Sequence, residues 1–158
     1  LAVEAFAAVL EEHPDAELYL CGDGALREDL EAQVAKLGIG EAVTFLGHVP
    51  YDEMPKVYRS GDVLVLPSRA EGVPRTVLEA MASGTRMVVS DLDQVTSMLG
   101  ERGHVVADDE DKSFADGLFE AIEDPSKASE QIAAYEHRWA DTVERTTRTL
   151  QSIAENNS

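Results

Sequence analysis

At 158 residues the chain has the length of one domain, able to bury roughly two-thirds of the surface that its unfolded form exposes. Against 31 acidic residues stand 13 basic ones, a formal net charge of -18, and such a field repels nucleic acid and anionic membrane surfaces, so no nucleic-acid partner is expected. One cysteine among 44% hydrophobic residues describes a globular domain without disulfides, and no run reaches the length of a membrane span.

Lysine occurs only at Lys36, Lys56, Lys112 and Lys127. An acidic, lysine-poor surface of this kind is similar to that of proteins from salt-loving organisms, and molar salt screens its self-repulsion, the Debye length falling to about 3 Å. A halophilic origin is the resulting hypothesis. The melting temperature is then expected to rise between low and molar salt, and a curve that stayed level would remove the idea.

Leu1 to Leu10 has the spacing of an amphipathic helix through Val3, Phe6, Ala7 and Leu10, closed by His13-Pro14. The chain opens without an initiator Met, as if partway through that helix, so a fragment or a processed piece is expected. Asp15 to Cys21 predicts a strand through Leu18, Tyr19 and Leu20, with Cys21 at its buried end. Gly22-Asp23-Gly24 turns into a second helix, Ala25 to Leu37, with Leu26, Leu30, Val34 and Leu37 on one face. The Gly-x-Gly is a weak dinucleotide signal, because the third glycine position fails.

Gly38 and Gly40 end that helix, and Val43 to Leu46 predicts a short strand. The loop Gly47-His48-Val49-Pro50 follows, where His48 is either a ligand-facing residue or an ordinary loop histidine. Tyr51 to Ser60 predicts a helix with Met54, Val57 and Tyr58 inward.

The apolar run Val63 to Leu66 then enters the most informative stretch of the chain, Pro67 to Ala82. Pro67 ends the strand, since it cannot donate to a ladder. Gly72 permits a tight turn, and Pro74 suits a helix's first turn. Val77, Leu78, Met81 and Ala82 recur at helical spacing, which leaves Glu71 in the loop and Glu79 inside the helix. In an open α/β sheet, ligands sit beyond the carboxyl ends of the strands, where this loop lies. Free N–H groups around Val73, Arg75 and Thr76 can receive an anion, and a carboxylate suits a vicinal diol that offers two O–H donors. Two glutamates eight apart also arise by chance in so acidic a chain. Between Leu66 and Ser90 the charged residues are Arg69, Glu71, Arg75, Glu79 and Arg86, so this stretch is spared the acidity of the rest.

The strings Leu66-Pro67-Ser68, Glu71-Gly72-Val73-Pro74 and Leu78-Glu79-Ala80-Met81-Ala82-Ser83-Gly84 resemble the signature of retaining glycosyltransferases of family four, which have the GT-B fold. The hallmark of that family is a Glu, seven residues and a second Glu, matched by Glu71 and Glu79. The resemblance covers nearly the whole chain. It implies the donor-binding, C-terminal half of an enzyme that moves a sugar, with retention, from a nucleotide diphosphate sugar to an acceptor hydroxyl. The N-terminal acceptor domain would lie in the same polypeptide. It further implies that Glu71 sits at the donor sugar as the catalytic residue and that Glu79 takes the ribose hydroxyls. Gly72, Val73, Arg75 and Thr76 would meet the sugar and phosphates. Gly22 and Gly24 would line the donor cleft, with Gly47, His48 and Val49 beside the base. No cofactor and no metal are implied, and a cytoplasmic location is expected, with membrane association and the acceptor left open. A nucleotide-sugar epimerase of the same fold and a non-catalytic sugar-nucleotide module remain alternatives.

Two departures from the family stand out. Arg86 replaces the usual Pro before the next strand, Arg86 to Val89, and Asp91 to Ser97 stands where a glycine-rich turn and a Glu are usual. Both put retained catalysis in doubt. Gly103 to Val106 predicts the last strand. The acidic cluster Asp108 to Asp111 lacks calcium-loop spacing. Ser113 to Glu123 predicts a helix, and Ser126 to about Ala154 another, anchored by Trp139, Val143, Leu150 and Ile153.

Five strands alternating with helices predict a Rossmann-like, doubly wound parallel sheet. In the resembled family this half begins with a strand carrying an Arg, then a Lys at the start of the first helix, both contacting donor phosphates. Leu1 matches a point just after that Lys. In the order 3-2-1-4-5-6 the absent strand is the central one, between the strands ending at Cys21 and Leu66. The chain alone is therefore expected to show a gap in its sheet, weak nucleotide affinity and no transferase activity.

Overall fold

The computed structural model describes residues 1–69, 75–99, 104–106 and 111–123. The loop residues Glu71, Gly72, Val73 and Pro74, the acidic residues Asp108 to Glu110 and the helix expected after Ser126 lie outside the described residues. The elements run α1 (Ala2–Glu12), β1 (Leu18–Cys21), α2 (Arg27–Leu37), a short 3-10 turn (Gly40–Ala42), β2 (Val43–Gly47), α3 (Met54–Ser60), β3 (Val63–Leu66), α4 (Arg75–Ser83), β4 (Arg86–Ser90), α5 (Asp93–Leu99), β5 (His104–Val106) and α6 (Asp111–Glu123).

All the described strand pairings are parallel, as strand-helix alternation requires when each strand returns through a crossover helix. Side chains alternate across β4. Val88 joins Ala5, Val9, Phe114 and Leu118 of α1 and α6 on one face. Met87 and Val89 join Tyr58, Val77, Met81, Val95 and Leu99 of α3, α4 and α5 on the other. The sheet is thus covered on both sides, which explains why β3 and β4 read as continuous apolar runs. A third cluster packs Val3 and Phe6 of α1 against Val34, Ile39 and Val43.

The strands form two sheets, β1-β2 and β3-β4-β5, with β1 and β3 unpaired to each other. Helix α1 contributes to clusters on both of them. Among the described residues no strand joins the two, so β1 and β3 each leave one edge open, the gap that the strand order predicts. All four residues of β3 are half-exposed, whereas Met87 to Ser90 of β4 are buried. An apolar four-residue strand partly open to water is what a central strand becomes without a neighbour.

Several expectations are corrected. Cys21 is exposed, not buried, although enough protein surrounds its thiol for desolvation to push it up. The residue lies on the two-stranded half, where Tyr19 and Leu46 are exposed too, and that sheet's second face lacks cover among the described residues. Helix α2 starts at Arg27 and leaves Leu26 and Leu37 exposed, and α3 starts only at Met54. Asp91 to Ser97, to which sequence reading assigns no element, holds the start of α5 at Asp93. Val95 and Leu99, four apart, are 1% and 0% exposed. Burying each stabilises by about 1.5–3 kcal/mol, enough to decide for helix.

Arg86 also has an explanation. Its guanidinium donates to the carbonyls of Ala121 and, at 3.4 Å, Ile122 in the last turn of α6. Asp62 lies 3.7 Å from it. A cation suits the negative end of a helix. Arg86 opens β4, about 13 Å from the strand's carboxyl end, so this departure from the family does not touch the ligand end of the sheet. Replacing Arg86 with Ala should cost about 1–3 kcal/mol, a fall of roughly 2–10 °C in melting temperature. Calorimetry that found no change would deny the contact a structural role.

Candidate functional site

Parallel pairing brings the carboxyl ends of β1 and β2 together, and likewise those of β3 and β4; the electrostatic reach of Cys21 on Tyr58, the partner of Glu79, links the two groups in one rim. After β1 comes Gly22-Asp23-Gly24 and after β2 comes Gly47-His48-Val49. The two turns are tied together, because the Gly22 N–H donates to the Gly47 carbonyl at 2.7 Å. Gly22 has φ 118 and Gly47 φ 66, backbone conformations that cost other L-residues about 1–2 kcal/mol. Glycine is therefore required at both for a geometric reason, whatever they bind. Gly24 has nothing within 4 Å of where a Cβ would stand, which leaves open space over the backbone there. His48 is exposed and Val49 half-buried.

Sequence reading passed over Arg27. It opens α2, holds Glu31 at 2.8 Å, lies 3.9 Å from Asp23 and stacks over the Phe45 ring at 5.4 Å. Its Nη1 is 3.6 Å from the Cβ position of Gly47. Arg27 thus buttresses both glycine turns, and two carboxylates offset its charge. Arg86 points to α6 instead, so its charge is spent away from this rim. The remaining charged residues of the central stretch, Arg69 and Arg75 against Glu71 and Glu79, balance to zero.

From the other side of the rim comes α4, with Arg75 exposed and Thr76 and Glu79 half-buried. Helical spacing sets Thr76 and Glu79 on one face, three residues apart. The Tyr58 hydroxyl donates to Glu79 Oε2 at 3.0 Å. Burial, then the hydrogen bond and charge of Glu79, push this phenol well above its ordinary value, Thr76 working in the opposite sense through its own side-chain hydrogen bond. Cys21 at the end of β1 is near enough to act electrostatically on the same phenol. Tyr58 therefore stands between the β1 turn and Glu79, a role invisible in the sequence, where it reads as one more inward residue of α3.

The structure brings Gly22, Gly24, Gly47, His48 and Val49 to one pair of joined turns, and Arg75, Thr76 and Glu79 to one helix, α4. Glu71, Gly72 and Val73 lie outside the described residues. A cavity of about 690 Å³ lined by Leu10, Asp15, Glu17, Ile39 and Glu41 opens before the amino ends of β1 and β2, the wrong end of a parallel sheet for a ligand. Among the described residues no three His, Cys, Asp or Glu side chains converge as metal ligands, and no described helix is long and apolar enough to cross a membrane.

Known proteins are similar to this chain in sequence and in fold. D-inositol 3-phosphate glycosyltransferase of Corynebacterium diphtheriae is 31% identical over 156 residues, 90% of this chain and 36% of that protein. The solved C-terminal domain of a group 1 glycosyl transferase from Francisella tularensis superposes with TM-score 0.70 at 28% identity, covering 84% of this chain and 71% of that one. HepE of Anabaena, solved in complex with UDP, matches with TM-score 0.82 at 23% identity, over 95% of this chain and 44% of that one. The chain spans 19% to 38% of the length of the curated relatives it matches. The family of glycosyl transferases group 1 matches residues 1–139; with the parallel sheet, the joined glycine turns and the glutamate-bearing helix, this shows that the chain belongs to that family and has the fold of a GT-B C-terminal half.

Proposed function

We propose that the chain is the donor-binding domain of a retaining glycosyltransferase, acting with an N-terminal acceptor domain of the same polypeptide. The donor is a nucleotide diphosphate sugar. The observation that carries this reading is the Glu79 carboxylate, held at 3.0 Å by Tyr58, whose phenol is within electrostatic reach of Cys21 beside the Gly22 turn. One Glu79 oxygen is committed to Tyr58, and the remaining lone pairs suit the two hydroxyls of a ribose. The base lies by Gly47, His48 and Val49, and the pyrophosphate spans from Gly22 and Gly24 to the amides of Gly72, Val73, Arg75 and Thr76. Helix-start amides can offset that negative charge. Glu71 acts at the donor sugar. The complete protein works in the cytoplasm, in an organism adapted to salt.

Product analysis of the full-length polypeptide tests the reaction class. Free nucleoside diphosphate together with a glycoside of retained anomeric configuration is expected. An altered sugar still attached to its nucleotide would mean an epimerase.

A further inference from the structure

Tyr58 is fastened at both ends to the segment that bears Glu79. Its side-chain O–H donates to Glu79 Oε2 at 3.0 Å. Its main-chain carbonyl accepts from Thr85 Oγ1 at 2.6 Å, at the junction of α4 and β4. Tyr58 and Thr85 are each 6% exposed. The ring packs among Val77, Met81 and Met87, so the phenol reaches Glu79 from a fixed platform. A buried phenol needs a partner for its hydroxyl, and this one, held protonated by its surroundings, is a permanent donor.

We infer that Tyr58 is a positioning residue for the donor's ribose: it fixes the Glu79 carboxylate in the rotamer that presents its remaining acceptor sites to a 2′,3′-diol. This rests on the assignment of Glu79 to the ribose and adds a second residue to that subsite. A carboxylate at the end of a glutamate chain is otherwise free to rotate about three bonds, and ordering it on binding opposes affinity. The hydrogen bond orders it beforehand. Tyr58 touches no reacting atom, and its effect is confined to ligands that carry the diol.

The test compares UDP, GDP and ADP with their 2′,3′-dideoxy analogues, titrated into the chain, Tyr58→Phe and Glu79→Gln. Phe keeps the ring and its packing and removes only the hydroxyl. In Tyr58→Phe the ribonucleotide that binds best should weaken about three- to tenfold, as expected when the ordering of one flexible side chain is left to the binding step. Its dideoxy analogue should be unaffected, so the preference for ribose shrinks. In Glu79→Gln the preference should vanish. If Glu79→Gln abolishes the preference while Tyr58→Phe leaves it intact, the inference about Tyr58 fails and the assignment of Glu79 stands. If Glu79→Gln leaves the preference unchanged, the ribose assignment fails and the inference falls with it. Equal weakening of both nucleotides in Tyr58→Phe would mark a purely structural role and overturn the inference.

Discussion

In the full-length polypeptide, Glu71→Ala will lower turnover about 100-fold or more while nucleoside diphosphate affinity stays nearly unchanged. Groups that stabilise charge developing in a transition state act at that point and little in the ground state, and removal of one costs roughly 10²–10³ in kcat. Glu79→Gln will show the opposite pattern. In the proposed site its carboxylate receives two ribose hydroxyls, and charge-assisted hydrogen bonds are worth about 1.5–3 kcal/mol, so nucleotide affinity should fall about tenfold or more. Gln keeps the shape of the side chain and its contact to Tyr58, which isolates the charge. Binding measured by calorimetry and single-turnover rates separate the two effects. If Glu71→Ala lost nucleoside diphosphate binding as severely as Glu79→Gln, the two glutamates would have been given the wrong ends of the donor.

The second large effect concerns the sheet. A version of the protein that supplies a strand between β1 and β3 should melt about 10 °C or more above the 158-residue chain. The added strand would pair with two open edges and bury the half-exposed side chains of Val63 to Leu66. Its own apolar residues would contribute about 1.5–3 kcal/mol each, and each kcal/mol raises the melting temperature of a domain this size by about 2–4 °C. In the 158-residue chain, the amides of β1 and β3 that face the gap should exchange with solvent nearly unprotected, and should become protected when the strand is present. Protected edges in the shorter chain, or equal melting of the two versions, would show that the sheet closes some other way.

Much of this fold was legible because local signals agreed with one another. The apolar runs at Val63 to Leu66, between Gly61 and Pro67, and at Met87 to Val89, after Gly84, specify parallel strands, and the helices between them follow from spacing. The break between the two sheets among the described residues was also readable, since the strand order separates the strands ending at Cys21 and Leu66. At Asp91 to Ser97 the departure from the family pattern left the local structure unassigned, although Leu92, Val95 and Leu99 stand at helical spacing there and Val95 and Leu99 are buried. Cys21 misled because alternation marks it as a strand residue but cannot say which face lacks a covering helix. The glycine turns at Gly22 and Gly47 were found as ligand candidates, yet the bond between them joins residues 25 apart, and no local pattern encodes it. The same holds for Tyr58 and Glu79, 21 residues apart. A buried tyrosine announces that its hydroxyl needs a partner and does not say which.

The placement of the nucleotide on the rim formed by the β1 and β2 turns and helix α4 is tested most directly by titrating a nucleoside diphosphate into the isotopically labelled chain and following its amide resonances. With UDP, GDP and ADP tried in turn up to millimolar concentration, the effective nucleotide should shift Gly22, Gly24, Gly47 to Val49 and Arg75 to Glu79 together, with weak affinity. Shifts gathered instead around Asp15 and Glu41, at the opposite end of the strands, or no shifts with any of the three, would contradict it.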